Sequence, residues 1–257
     1  MAKLLLILLV TVSSSWAVAT VERYGWHGQN TSGNFYVGSL STLKINNTVT
    51  VKAGASLNIQ GLLGNTLKRP ILDGGSGDTN NTFGILPSVT GTRLFHVKSN
   101  GSLVLENVVI QRGYHNMTGG GLFVEGGNAT LKNCLVTENI AEMMGGGIHI
   151  YAGAIVSLIH TTFSKNQARQ GGGIHIGYNS AVFTDKTYSE VLIQHCILVE
   201  NYLSIRRIVT GESGEKFLLS HSTVQWFRTK QVYGAGIFIG GGNVVMKDVN
   251  MSKNLGK

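Results

Sequence analysis

Three glycine cassettes, Gly119-Gly120-Gly121-Leu122-Phe123-Val124, Gly145-Gly146-Gly147-Ile148-His149-Ile150 and Gly171-Gly172-Gly173-Ile174-His175-Ile176, begin 26 residues apart. A fourth, Gly234-Ala235-Gly236-Ile237-Phe238-Ile239, returns later. A fixed period with apolar alternation after each glycine run marks a solenoid, in which each repeat buries its apolar face on its neighbours. Composition agrees. With 35 Gly, 2 Pro and 13% charged residues, the chain suits many short β-branched strands separated by Gly and Asn turns. Disorder would need more charge and proline, and a helical protein less glycine.

A second pattern follows each cassette. It reads Leu105 to Gly113, Leu131 to Asn139, Leu158 to Asn166, Ile193 to Asn201, Leu219 to Phe227 and Met246 to Asn254, which predicts six rungs. Its third position holds Asn107, Asn133, His160, His195, His221 and Asp248. Asn, Asp and His are the non-glycine residues enriched at positive φ, so this column predicts a left-handed corner on every rung. Its three consecutive histidines, His160, His195 and His221, are also the candidates for a metal site, although no aligned Cys or further carboxylate completes a ligand shell.

The eighth position alternates in sign over Arg112, Glu138, Lys165 and Glu200, and ends on Trp226 and Lys253. This predicts a charge ladder between neighbouring strands. The ninth (Gly113, Asn139, Asn166, Asn201, Phe227, Asn254) reads as a second corner. Alternation sends Ile148, Ile150, Ile174 and Ile176 to one face and His149 and His175 to the other, the solvent side. Cys134 and Cys196 share the fourth position two rungs apart, which is too far for a disulfide, so two free, buried thiols are expected. The loop Asp73-Gly74-Gly75-Ser76-Gly77-Asp78 reads as a plain turn, since its single copy lacks the spacing of a calcium repeat.

Residues 1–19 read as a signal peptide: Lys3, then an apolar run from Leu4 to Val12, then Ala17-Val18-Ala19. The run is too short to span a bilayer, and no later stretch qualifies as a transmembrane helix. Residues 20–47 form a lead-in, and 48–257 the solenoid domain. Asn-x-Ser/Thr occurs at Asn30, Asn46, Asn80, Asn100, Asn116, Asn128 and Asn250, glycan acceptors in a eukaryotic secretory route. The net charge of +8 comes from scattered Lys and Arg with no basic run, so nucleic acid is not an expected partner. A complete rung, Asn243 to Asn254, stops three residues before Lys257 without a polar cap. The expectation is therefore that the 257 residues are the N-terminal part of a longer product.

The cassettes, together with Phe163-Ser164-Lys165-Asn166 and its looser versions Val136-x-x-Asn139, Leu198-x-x-Asn201 and Met251-x-x-Asn254, resemble the repeats of chlamydial polymorphic outer-membrane proteins. The stretches Leu72 to Gly75, Leu94 to Val97 and Leu103 to Gly113 resemble the opening coils of pectin-lyase-like proteins. The resemblance spans roughly residues 48 to 254 and implies an all-β fold: a single right-handed parallel β-helix of about 26 residues per coil, usually on a cell surface and often adhesive.

Catalysis finds little support among the residues. Glycoside hydrolysis needs two or three converging carboxylates. The chain has 13 Asp and Glu, no adjacent Asp-Asp pair, and neither the Gly-His-Gly nor the Arg-x-Lys signature of galacturonases. The expectation is a secreted or cell-surface, non-catalytic module for adhesion, binding or structure. It needs no cofactor, and its partners are surface or matrix glycans or other proteins. The alternative is a polysaccharide lyase or glycoside hydrolase whose residues come from the insertions at 177–190 and 202–217.

Overall fold

The computed structural model describes residues 32–63, 68–76, 91–177, 188–203 and 234–254. All regular elements among them are β-strands, and all pair in parallel within four stacked sheets. Sheet A runs β1 (Gly33–Gly38), β4 (Ser56–Leu62), β7 (Ser102–Glu106), β11 (Asn128–Lys132), β15 (Ile155–Ile159), β19 (Glu190–Gln194) and β23 (Asn243–Lys247). Sheet B runs β2 (Thr42–Lys44), β5 (Ile71–Asp73), β8 (Val109–Gln111), β12 (Leu135–Thr137), β16 (Thr162–Ser164), β20 (Ile197–Val199) and β24 (Asn250–Ser252). Sheet C runs β3 (Val49–Val51), β6 (Phe95–Val97), β10 (Leu122–Glu125), β14 (Ile148–Tyr151), β18 (Ile174–Ile176) and β22 (Ile237–Ile239). Sheet D is short: β9 (Tyr114–His115), β13 (Ile140–Ala141), β17 (Gln167–Ala168) and β21 (Tyr202–Leu203).

Four rungs, those of β7, β11, β15 and β19, pass from sheet C through A and B to D; the first passes from sheet B directly to C. Burial alternates along the longer strands; β7, for example, buries Leu103 and Leu105 and turns Ser102, Val104 and Glu106 outward. The main core lies between sheets A, B and C, in columns such as Ile59-Leu105-Leu131-Leu158-Ile193 and Leu72-Ile110-Val136-Phe163-Leu198. Each buried aliphatic side chain of this kind contributes about 1.5–3 kcal/mol, so stacking like on like builds stability rung by rung.

The first corner, between sheets A and B, has φ of 56° at Asn107, 52° at Asn133, 49° at His160, 50° at His195 and 52° at Asp248. Their backbone N–H groups stay in the stack; that of Asn133, for example, donates to the Ile159 carbonyl at 3.0 Å. The residues beside this corner are small and donate inward. The Cys134 thiol, the Thr161 hydroxyl and the Cys196 thiol each reach a carbonyl of the preceding rung (Leu105, Leu131 and Leu158) at 3.3 Å. Both thiols are free and buried, and burial pushes the Cys134 thiol up to about 11.

Three expectations are corrected. The eighth position is a second left-handed corner, not a strand: φ is 51° at Arg112, 56° at Glu138, 54° at Lys165, 53° at Glu200 and 52° at Lys253. No continuous ladder forms among the described residues of this column, and Arg112 instead forks onto the buried carboxylate of Asp73. In that column only Glu200 and Lys253 come within ion-pair range among the described residues, at 3.9 Å. The ninth position, expected as a corner, points inward and carries a polar ladder. Lastly, β19 pairs directly with β23, Ile193 opposite Met246, so the rung expected from Leu219 to Phe227 does not stand between them. The stack also reaches into the expected lead-in, since β1 pairs with β4 and β2 with β5.

The ladder explains the glycine cassettes. The Asn166 side-chain carbonyl accepts from the Asn139 N–H at 3.1 Å and from the Asn139 amide at 3.0 Å. The Asn166 amide donates to the Val136 carbonyl at 2.9 Å and to the next ladder residue, Asn201, at 3.0 Å. Asn201 repeats the set, which satisfies all the amide's polar capacity in the interior, and Asn139 and Asn254 carry part of it at the two ends. A Cβ on Gly147 would lie 3.2 Å from the Asn166 Cγ, so the third cassette glycine makes room for the ladder. The first, Gly145, sits at φ 63°, and a Cβ on the second, Gly146, would overlap the Gln167 carbonyl of the next sheet D strand.

Candidate functional site

Chemistry-bearing side chains gather on the outward face of sheet C. Register places His96, Phe123, His149, His175 and Phe238 in one column. Adjacent ring centroids are 4.9, 5.2, 4.6 and 4.5 Å apart, with the two central imidazoles edge-on at 75°. The reading of a solvent-side pair is corrected: His149 and His175 are fully buried. The reason is the chain between sheets D and C. It doubles back so that a Cβ on Gly145 or Gly171 would lie 2.9 or 3.1 Å from the Cα of His149 or His175. Ile140, Ala141, Met144 and Ala168, also buried but outside the main core, accompany this second layer.

Arg93 closes one end of the column. Its guanidinium lies 4.9 Å over the Phe123 ring, donates through Nε to the Gly119 carbonyl at 2.9 Å and reaches the Thr118 carbonyl as well. Burial lowers its pKa to about 10, against the attraction of Glu125. Glu125 accepts from His96 Nε2 at 2.8 Å and from Lys98 at 3.5 Å. His96 is nevertheless held below the usual imidazole range, because burial and Arg93 outweigh the carboxylate. His115 turns its Nδ1 to the backbone N–H groups of Met117 and Thr118, both at 3.1 Å, and burial followed by Arg93 lowers it to about 4.

The two central histidines are the anomaly. His149 Nε2 donates to the Gly177 carbonyl at 3.3 Å, while its Nδ1 and both ring nitrogens of His175 are buried with no hydrogen-bond partner among the described residues. Burial pushes His149 down to about 3 and His175 well below its ordinary value. Both are neutral at physiological pH. Neutral imidazoles sealed from water without a carboxylate partner cannot serve as acid or base on a substrate while the layer is closed.

The first-corner histidines are exposed. His160 and His195 stack at 4.8 Å with their planes 12° apart, and His195 Nδ1 lies 3.4 Å from an Asp248 carboxylate oxygen. His221 lies outside the described residues. Parallel-stacked rings aim their nitrogens side by side, and among the described residues no group of three His, Cys, Asp or Glu side chains is placed to hold a metal. Asn46, Asn100, Asn116, Asn128 and Asn250 are all exposed; Asn30, Asn80 and the signal-peptide segment lie outside the described residues. No helix among the described residues is long and apolar enough to cross a membrane. The aromatic column was legible in the fifth cassette position, Phe123, His149, His175 and Phe238. Arg93 carried no comparable signal, since it precedes the first cassette.

Comparison of the chain with protein families, with curated proteins and with solved structures yields no match.

Proposed function

We propose that the chain is an exported right-handed parallel β-helix of about 26 residues per coil, with an adhesive, binding or structural role on a cell surface or in a matrix. The observation that carries this reading is the closure of the sheet C face over His149 and His175. Those two rings and the Arg93 guanidinium are sealed, and the carboxylate beside them, Glu125, is held at the rim by His96 and Lys98, whereas the outward faces of sheets A and B carry ladders of short side chains. Asn58-Val104-Thr130-Ser157-Leu192-Val245 runs along sheet A and Ile71-Val109-Leu135-Thr162-Ile197-Asn250 along sheet B. Ridged faces of hydroxyl, amide and branched aliphatic groups suit extended partners such as glycan chains or the surfaces of other proteins.

Register steps of 26 and 27 between Leu105, Leu131 and Leu158 support the coil length. The N-terminal apolar run supports export, and the exposed sequons are compatible with glycan attachment. The test is incubation of the secreted protein with pectins, alginate and glycosaminoglycans. Retention on an immobilised glycan or matrix without turnover is expected. Product release above an empty-vector control would overturn the reading in favour of a polysaccharide lyase or hydrolase.

A further inference from the structure

We propose that the second layer, sheet D with its connections to sheet C, is an acid-sensitive flap, and that His149 and His175 release it by taking up protons. The inference does not depend on the binding role above. It stands on the interface between the two layers. Two imidazoles lie edge-on at 4.6 Å with neither exposed, and three of their four nitrogens lack a partner among the described residues. The layer over them is thin: its strands are two residues long, and Thr118, Met144 and Gln170 extend it by isolated bridges, with backbone bonds from rung to rung such as that of the Gly119 N–H to the Met144 carbonyl at 2.9 Å.

Among the described residues, the charged and titratable groups around the pair offer nothing to hold an imidazolium. On sheet C, Glu125 is engaged by His96 and Lys98, and Tyr151 stands 6.2 Å from the His149 ring. On the sheet D side, Glu142 accepts from the Tyr114 hydroxyl at 2.8 Å, His115 is tied to the backbone, and Arg169 is exposed. Arg93 adds a positive charge that disfavours a second one at His149. A proton on either ring therefore meets burial and like charge, and the relief available is exposure to water. The sign follows. Both folded-state pKa values lie below the ordinary imidazole value near 6.5, so the opened state binds the protons, and closure weakens as pH falls through that value.

Hydrogen exchange on the full chain, read by mass spectrometry from about pH 7.5 to about pH 4 and corrected for intrinsic rates, tests this. Protection of amides in 114–119, 140–145 and 167–171 is expected to fall below about pH 6.5, by about tenfold per pH unit for each histidine protonated. Sheets A and B should keep their protection over the same range. His175→Phe continues the ring column between residues 149 and 238, and should lower the slope by that of one proton. Adding His149→Phe should lower it by another, leaving only the share of His115, which burial also lowers, to about 4, and if that double variant does not fold, the single variant's lowered slope decides. Three results would overturn the proposal: pH-independent protection in the wild type, an unchanged slope in His175→Phe, or sheets A and B losing protection together with sheet D.

Discussion

Two stacks of buried polar side chains occupy successive rungs of this molecule, and they are solved in opposite ways. Asn139, Asn166 and Asn201 are fully buried; each amide donates at least twice, and the Asn166 and Asn201 oxygens each accept twice while that of Asn139 accepts from the Gly113 N–H. His149 and His175 are equally buried, yet among the described residues the pair makes a single hydrogen bond, from His149 to the Gly177 carbonyl. An amide carries a donor and an acceptor side by side, so identical residues on successive rungs satisfy each other indefinitely. A neutral imidazole has one donor and one acceptor in the ring plane, and rings that stack face or edge aim them at nothing. The asparagines specify the stack, whereas the histidines fill space beneath a layer held by packing.

The largest expected effect comes from breaking the ladder. Asn166→Leu removes the acceptor for the Asn139 N–H and amide and the donor to the Val136 and Asn201 oxygens. Each orphaned buried group costs roughly 1–3 kcal/mol, so a loss of about 3–5 kcal/mol is expected in urea unfolding at neutral pH. A loss below about 1 kcal/mol would remove the ladder from its structural role.

Next comes the glycine that joins the two regions. Gly146→Ala drives a methyl into the Gln167 carbonyl of sheet D, while the third glycine, which shelters the ladder, is left intact. Overpacking of this kind costs about 1–3 kcal/mol. Loss of protection confined to sheet D in hydrogen exchange would show that the two layers are separable; loss spread into sheets A and B would show that they are one cooperative unit.

The left-handed corner is worth less. Asn133→Val puts a β-branched residue at φ 52° and should cost about 1–2 kcal/mol in thermal or urea unfolding. His195→Asn at the same corner should be nearly silent. A melting temperature for Asn133→Val equal to that of the wild type would contradict the corner's strain.

Much of this architecture could be read from residue columns, because a repeat forces each position to recur in one environment. The third-position column of Asn, His and Asp names its own left-handed conformation. The eighth position hid its corner, since Arg, Glu and Lys are not φ-positive residues by preference, and their alternating sign suggested strand pairing. The ninth hid its direction: asparagine serves a turn and an interior ladder equally well, and only the matching third cassette glycine, 26 residues from the next, could have tied it to the core. The burial of His149 was beyond period-2 reasoning. Alternation separates two faces but does not say that a second layer covers the outer one.

The smallest effect, and the sharpest contrast with Asn166→Leu, is expected at His175. His175→Phe replaces a buried polar ring that has no partner with an apolar ring of similar shape, between His149 and the Phe238 ring at 4.5 Å. Removing an unsatisfied group strands nothing else, so neutral-pH stability should stay within about 1 kcal/mol of the wild type and lean toward a gain. As pH falls below about 6.5 the wild type pays a proton-linked penalty that the variant lacks, and the gap should widen by up to about 1.4 kcal/mol per pH unit. Urea unfolding of both proteins at several pH values reads this directly. A loss at neutral pH as large as that of Asn166→Leu would mean that the His175 ring has partners in solution, and the two stacks would no longer be opposites.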